Sequence, residues 1–252
     1  MSRDSMQRRL VDDYYRTTSA SGSAVSRAAF DASVIQLRRR LGTWLDVAGK
    51  DVLDLGSGTG ELCHLAERSG AKSVVGVNLS GDEIEFARKV TGATLVQADV
   101  VAYLEESRAT SFDRIYAMNI LEHLDKDALL KTLQGAFRVL RTGGALVAMV
   151  PNATSPFGSM TRYWDITHQN AFTPSSVRQL SRYVGFGDDV WFRECGPVPH
   201  GLTSGVRYLL WQAIRLGIRA YLMIELASAK GGIYTADMHV RLVKQATGPE
   251  GG

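Results

Sequence analysis

The stretch Asp51-Val-Leu-Asp-Leu-Gly-Ser-Gly-Thr-Gly60 decides the fold of this chain. Its first half is a short apolar run, which is typical of a strand buried in a parallel sheet. Gly56, Gly58 and Gly60 then stand at every second position, and a helical pattern begins at Glu61. A strand, a glycine turn and a helix N-terminus together bring backbone N–H groups close to a ligand. The stretch therefore predicts an α/β fold with a ligand at this turn.

The glycine spacing distinguishes this turn from the dinucleotide fingerprint. The fingerprint is G-x-G-x-x-G, whereas here the position of its third glycine holds Glu61. Asp54 lies inside the strand, where we expect it to hydrogen-bond to the glycine loop. An acidic residue between hydrophobic ones, followed by G-x-G-x-G, resembles the first motif of class I S-adenosylmethionine (SAM)-dependent methyltransferases. The resemblance implies that SAM is the cofactor and that Asp54, Gly56, Ser57, Gly58 and Gly60 bind it.

Strands and helices alternate after the glycine turn. We predict strands over residues 73–78, 94–99, 112–118 and 145–150, with a helix between each pair. A helix from Asp125 through Leu140 is expected to close at Gly143-Gly144. This alternation predicts a Rossmann-like, doubly wound and mostly parallel sheet. The resemblance implies seven strands, one of them antiparallel.

Polar residues follow several of these strands, at the edge where such sheets bind ligands. Asn78 lies 22 positions after Gly56, where this fold places the side chain that holds the ribose hydroxyls. The usual residue there is an acid, and Asn offers one acceptor and two donors instead. The resemblance implies that Asp99 and the adjacent Val100 read the adenine ring. We also assign Leu79 and Asn119 to the cofactor site.

Composition limits the other classes of function. The chain has 252 residues, 45% of them hydrophobic, and a net charge of +3 that is too small to indicate a nucleic-acid partner. Two cysteines without a C-x-x-C motif exclude a disulfide framework and a cysteine-rich zinc site, and we predict no metal. The first residues lack an apolar signal core, so we expect a cytoplasmic protein.

The chain is expected to divide into an N-terminal helical cap, residues 1–48, and a SAM-binding domain, residues 49–252. The cap is predicted as two helices around a Ser/Thr/Gly-rich break at 17–23. In the resembled family such a segment often covers the cofactor, so Tyr14 is a candidate contact. Packing of this tyrosine within the cap is the alternative.

The segment after the fifth strand is expected to bind the acceptor. Residues 151–174 contain prolines, Ser/Thr/Gly and aromatic side chains, which predict an irregular loop ending at the helix N-cap Thr173. Its block Asp-x-Thr-His…Phe-Thr-Pro looks like one found in methyltransferases of bacterial glycan biosynthesis. We assign Asn152, Tyr163 and Trp164 to acceptor binding.

Two histidines lie on loops at the ligand edge. An alcohol acceptor must lose its proton during methyl transfer, and a histidine near the methyl group is suited to take it. We predict His168 as the base, His123 as the second candidate and Asp165 as the orienting partner. A loop histidine bonded to backbone is the alternative for His168, and packing under the following helix is the alternative for His123.

A helical insert at about 197–232 precedes the last strand. Its part 205–227 carries one polar stripe, Tyr208, Gln212, Arg215 and Arg219, on an otherwise apolar cylinder. Three interpretations stay open: a homodimer or core-packing helix, a lid over the acceptor, and a helix on a membrane surface. The third would make the protein peripherally membrane-associated.

The predicted function is SAM-dependent methylation of a hydroxyl on a sugar, a glycan or another small polar metabolite. N-methylation of an amino-sugar or small amine is the alternative within enzymes. A non-catalytic SAM-binding protein is the alternative from another class.

Overall fold

The computed structural model describes residues 26–227 and 232–246, and its centre is a seven-stranded sheet. The strands are β1 Asp51–Leu55, β2 Ser73–Asn78, β3 Thr94–Gln97, β4 Phe112–Met118, β5 Leu140–Pro151, β6 Val190–Glu194 and β7 Asp237–Val243. Their order in the sheet is β3-β2-β1-β4-β5-β7-β6. Strand β7 pairs antiparallel with both β5 and β6, and the other pairs are parallel. This confirms the predicted fold class.

Eight α-helices within the described residues connect or flank these strands. They are α1 Arg27–Leu41, α2 Glu61–Arg68, α3 Gly81–Ala87, α4 Val100–Glu106, α5 Lys126–Val139, α6 Gly158–Tyr163, α7 Pro174–Val184 and α8 Leu202–Leu226. The predicted caps are formed: the Asp125 side chain accepts from Ala128 N, and Thr173 and Ser176 make a reciprocal capping box. Local side-chain hydrogen bonds therefore fix where these helices begin.

The core lies on both faces of the sheet, as a doubly wound fold requires. Leu53, Leu55 and Ile115 are fully buried in the layer beneath α4, α5 and α7. On the opposite face, Val52 and Tyr116 pack with residues of α2 and with Leu41 at the end of α1. The central strands are thus apolar on both sides, which explains their nearly unbroken hydrophobic sequence.

Three predicted element boundaries are wrong. Gly143 and Gly144 do not close a helix but lie inside β5, which begins at Leu140 and shifts register against β4 near Arg114. Strand β3 ends at Gln97 because Asp99 is already the N-cap of α4. The loop after β5 contains one helical segment, α6.

Helix α1 covers one edge of the sheet domain. Phe30 is fully buried and meets the rings of His64 and Phe86. Tyr14 and the first predicted helix of the cap lie outside the described residues. The division into a cap and a SAM-binding domain stays a prediction.

Helix α8 lies on the outside of the molecule. Ser204 is its one buried residue. Trp211 and Arg215 attach it to β6 through the Glu194 carboxylate, at 3.3 and 3.1 Å. The core-packing interpretation of this helix is therefore wrong. No helix in the described ranges combines the length and the apolar character needed to cross a bilayer.

Candidate active site

A cavity of about 430 Å³ opens at the carboxyl ends of the central strands. Strand β1 contributes the glycine turn, β2 contributes Asn78, and β4 contributes its exit loop. The segment after β5 closes the opposite side. The sequence predicted this meeting point because parallel strands present their carboxyl ends at one edge of the sheet.

The glycine turn packs tightly on one side and is open on the other. Gly56, Gly58 and Gly60 all have positive φ, a conformation that side chains rarely adopt. A Cβ on Gly56 would lie 2.7 Å from Ile120 Cδ1, whereas a Cβ on Gly58 would meet no described atom within 4 Å. The turn therefore presents bare backbone to the cavity at Gly58, as close approach of a ligand requires.

Asp54 lies beneath this turn and is almost completely buried. Its carboxylate accepts a hydrogen bond from the Cys63 thiol, at 3.5 Å, instead of making the predicted bond to the glycine loop. Burial raises the pKa of Asp54 to about 8, against the weaker opposing effect of the Cys63 hydrogen bond. Asp54 therefore joins β1 to α2 through Cys63, and burial favours its protonated form.

Asn78 shares the ribose end of the cavity with a carboxylate that the sequence analysis missed. Asn78 is buried, and its Nδ2 donates to Glu83 Oε2 at 2.8 Å. Both residues line the cavity, and burial raises the pKa of Glu83. Helix α3 thus brings a carboxylate next to Asn78 at the end of β2. The signal that could have found Glu83 is its position five residues after Asn78 in the chain.

The other predicted cofactor residues differ in exposure. Asn119 has φ +55° and lines the cavity. Asp99 is exposed, and its carboxylate accepts hydrogen bonds from Val101 N and Ala102 N. Val100 is buried, whereas Leu79 is exposed. The cofactor contacts of these residues stay predictions.

His123 and His168 meet across the cavity wall. Their ring centroids are 4.7 Å apart in an edge-to-face arrangement, although 45 residues separate them in the chain. Backbone hydrogen bonds join their loops, because Gln169 N and Asn170 N both donate to the Glu122 carbonyl at 2.7 and 3.1 Å. The side chain of Asn170 also donates to the Leu124 carbonyl. Gln169 and Asn170, which the sequence analysis did not single out, therefore hold the two histidines together.

Hydrogen bonds assign the proton on each imidazole. His168 Nδ1 lies 3.0 Å from the Thr161 carbonyl, which only accepts, so Nδ1 carries the proton. The Thr167 hydroxyl donates to Asp165 Oδ1 at 2.7 Å, so it accepts from His123 Nδ1 at 2.8 Å. Nε2 therefore holds the lone pair in both rings. Asp165 reaches His123 through Thr167, an arrangement the sequence could not specify.

Burial sets the charge of this cluster. Burial, and after it the neighbouring His168, lower the pKa of His123 to about 4 against the opposing effect of Asp165. Burial also raises the pKa of Glu122 to about 8. The cluster is therefore neutral at these two groups near pH 7.

The predicted acceptor residues separate into two groups. Trp164 lines the cavity and is 78% exposed, and neighbouring Tyr163 is also exposed. Asn152 is fully buried, and its amide donates to the carbonyls of Ile233 and Thr235 and accepts from Thr154 N. The assignment of Asn152 to acceptor binding is wrong, because its polar atoms hold the start of β7 against β5.

The cavity fits an adenosyl sulfonium ligand. It has a bare glycine wall at Gly58, an amide and a carboxylate at Asn78 and Glu83, and imidazoles at the far side. The strand order and this arrangement together define a class I SAM-dependent methyltransferase, with SAM as its cofactor. Comparison with known families gives the particular assignment: a model described as methyltransferase domain matches residues 27–188, and the chain belongs to that family.

Curated relatives are similar over part of their length. A ubiquinone biosynthesis O-methyltransferase of Xanthomonas oryzae is 34% identical over 115 residues, covering 44% of this chain and 46% of that protein. A ubiquinone biosynthesis O-methyltransferase of Nitrosococcus oceani is 29% identical over 177 residues, covering 68% of this chain and 73% of that protein. The chain spans about half the length of the first curated relatives it matches.

Solved structures share the fold. A SAM-dependent methyltransferase from Archaeoglobus fulgidus superposes with a TM-score of 0.61 at 21% identity, covering 84% of this chain and 93% of that one. A Burkholderia thailandensis N1-methyltransferase with bound S-adenosylhomocysteine gives a TM-score of 0.55 at 16% identity. The superposition covers 98% of this chain and 92% of that one. At these identities the likeness concerns architecture alone.

Proposed function

We propose that this protein transfers the methyl group of SAM to a hydroxyl of a small molecule. The observation that carries the proposal is the pair of Nε2 lone pairs, on His123 and His168, beside the glycine-lined cavity. Curated relatives described as O-methyltransferases support the same reaction class. When bound, SAM supplies an activated methyl group and a neutral leaving group.

The protein must hold the acceptor in line and handle its hydroxyl proton. We assign proton acceptance to Nε2 of His168, with His123 as the second candidate. The backbone hydrogen bond at Nδ1 of His168 fixes its tautomer, and the Thr167–Asp165 pair does so for His123. Asp165 keeps its proposed orienting role toward the cluster.

For the acceptor we propose a sugar or other polar metabolite that carries an anionic group. A second cavity, of about 610 Å³, lies between α1 and the start of α8 and is lined by Arg39, Arg40 and Arg207. Its wall includes Ala236, the neighbour of Asp237 in the first cavity. Guanidinium groups in this neighbouring cavity favour a phosphate-bearing acceptor such as a nucleotide sugar.

The test measures S-adenosylhomocysteine release with nucleotide sugars, glycan fragments, small phenols and amines. We expect turnover with a hydroxyl acceptor, and a reduction of at least about 100-fold in kcat in His168→Ala, since base catalysis contributes roughly that factor. Turnover with amines alone would favour the N-methylation alternative. SAM binding without any turnover would favour the non-catalytic alternative and contradict the proposal.

A further inference from the structure

A carboxylate and two imidazoles converge at the acceptor side of the cavity. One ligand atom from each of Glu122, His123 and His168 lies within 4.8 Å of the other two. All three residues line the cavity of about 430 Å³. We propose that Glu122, His123 and His168 bind one divalent cation through a carboxylate oxygen and two imidazole nitrogens.

The hydrogen bonds around the imidazoles suit metal binding. A metal-bound histidine donates its second N–H to a carbonyl, a carboxylate or an equivalent acceptor, which fixes the ring and leaves a lone pair for the ion. His168 makes this bond to the Thr161 carbonyl, and His123 makes it to Thr167, which is itself bonded to Asp165. Both imidazoles are therefore in the tautomer that presents Nε2.

The Glu122 carboxylate gives an independent indication of a cation site. Glu122 is 2% exposed, and its Oε2 has no hydrogen-bond partner among the described residues. A buried carboxylate oxygen without a partner is costly, and a cation would satisfy it. The Glu122 carbonyl is held by Gln169 N and Asn170 N, so the carboxylate is attached to the same loop that carries His168.

The donor set indicates the class of ion. Two histidines and one carboxylate bind Zn²⁺ in catalytic sites, and the same set binds Fe²⁺ with positions left open. Ligand atoms on such an ion lie about 3 to 4 Å apart, so the three side chains need to approach one another by about 1 Å. The three side chains open to the cavity, which leaves coordination positions for an acceptor.

A bound ion would give Glu122, His123 and His168 a role in activating the acceptor hydroxyl. This role rests on the proposed function, whereas the binding of the ion does not. A coordinated acceptor hydroxyl has a lowered pKa, so its O–H bond breaks, the proton passes to solvent water and the electron pair stays on oxygen. An imidazole that holds an ion cannot also accept that proton. In the ion-loaded protein His168 and His123 would be ligands, and the base role assigned to His168 belongs to the ion-free protein. Titration with a metal ion tests the predicted metal-free site.

The test is Co²⁺ titration of the full chain after chelation and dialysis, followed by visible absorption and repeated with Zn²⁺ in competition. We expect one ion per chain, with binding weakened at least about tenfold in Glu122→Gln and in His168→Gln. Thr167→Val, which removes the support of His123, is expected to weaken binding by about 10- to 100-fold. His200→Gln, an exposed histidine outside the cluster, is the matched control and is expected to bind normally.

Circular dichroism of each variant establishes that it is folded. Absence of Co²⁺ and Zn²⁺ uptake by the wild type, or wild-type uptake by both Glu122→Gln and His168→Gln, would overturn the inference. Methyl transfer that continues unchanged in chelator would overturn the ion's role in the reaction while leaving the proposed function intact. Metal uptake without transfer to any acceptor would keep the metal site and remove the proposed function.

Discussion

At the scale of single residues, the ribose end of the cavity shows how a missing side chain is replaced. Asn78 stands where an acid is usual, and Glu83 from α3 brings a carboxylate to the same place, 2.8 Å from the Asn78 amide. The amide holds the carboxylate, and the carboxylate offers acceptors to two hydroxyls. We therefore expect the pair to hold the ribose hydroxyls together, as one acidic side chain does elsewhere.

Glu83→Gln is expected to weaken S-adenosylhomocysteine binding by roughly tenfold or more, because hydrogen bonds to a charged group contribute about 1.5–3 kcal/mol. Isothermal titration calorimetry measures the change. Glu85→Gln is the matched control, since Glu85 lies on the same helix but is exposed and pairs with Arg88. Equal affinities for Glu83→Gln and the wild type would exclude the carboxylate from the ribose site.

Asp54 gives a second prediction, on stability without ligand. Its pKa is about 8 in the folded protein and near 3.8 when unfolded, so folding takes up a proton between those values. Its stabilising contribution is complete below pH 3.8 and is lost as the pH rises through 8. Relative to Asp54→Asn, the wild type should lose up to about 1.4 kcal/mol of unfolding free energy per pH unit between pH 5 and pH 7.

Urea unfolding of both proteins at several pH values measures that difference. Glu122 and His123 also titrate anomalously, but they are common to the two proteins and cancel in the comparison. A difference between wild type and Asp54→Asn that stays constant from pH 5 to pH 8 would show that Asp54 is ionised in the folded chain.

At the scale of elements, two loops from neighbouring strands form one wall of the cavity. The exit loop of β4 carries Glu122 and His123, and the segment after β5 carries His168. Hydrogen bonds from Gln169 and Asn170 join them. The periodicity of the sequence located both loops at the ligand edge, but it contained no signal for the bonds between them, since these depend on the register of β4 against β5.

Helix α8 differs from an ordinary surface helix, which buries its apolar face and exposes its polar face. Its half-buried stripe includes Trp211 and Arg215, whereas its outer face is apolar and exposed. We define this outer face by Val206, Leu210, Ile214, Tyr221 and Ile224. Exposed apolar surface of this kind marks a contact with a partner or a membrane.

We expect the outer face of α8 to lie on a membrane surface. Burying Leu210 and Ile224 in the headgroup boundary would contribute about 1.5–3 kcal/mol each, so a Leu210→Ser/Ile224→Ser variant should bind anionic vesicles at least about tenfold more weakly. Co-sedimentation measures this, with Ile35→Ser, an exposed residue of α1, as the control.

Failure of the wild type to sediment with vesicles would contradict this expectation. Light scattering then decides between the other two interpretations. If the wild type is a dimer and the double variant is a monomer, the outer face of α8 contacts a second copy of the chain. If the wild type is a monomer, the lid interpretation is the one that stays open.

At the scale of the whole molecule, the strand order brings the parts of the candidate active site together. Strands β1 and β4 lie side by side although β2 and β3 come between them in the chain, so the glycine turn meets the β4 exit loop. The contact is close enough that Ile120 leaves no room for a side chain at position 56. The second cavity depends equally on tertiary structure, because its arginines come from α1 and α8.

The sequence by itself determined the sheet and its ligand edge, because these follow from local patterns: apolar runs, a glycine turn and capping residues. The class of cofactor was implied by the resemblance of its first motif to class I methyltransferases. Tertiary structure alone decided that Glu83 serves beside Asn78, that Asn152 is structural, and that Glu122, His123 and His168 converge. Each of these depends on distances between residues remote in the chain or on which side of a loop faces solvent. Periodicity carries no information on such distances, since strand register and loop packing set them.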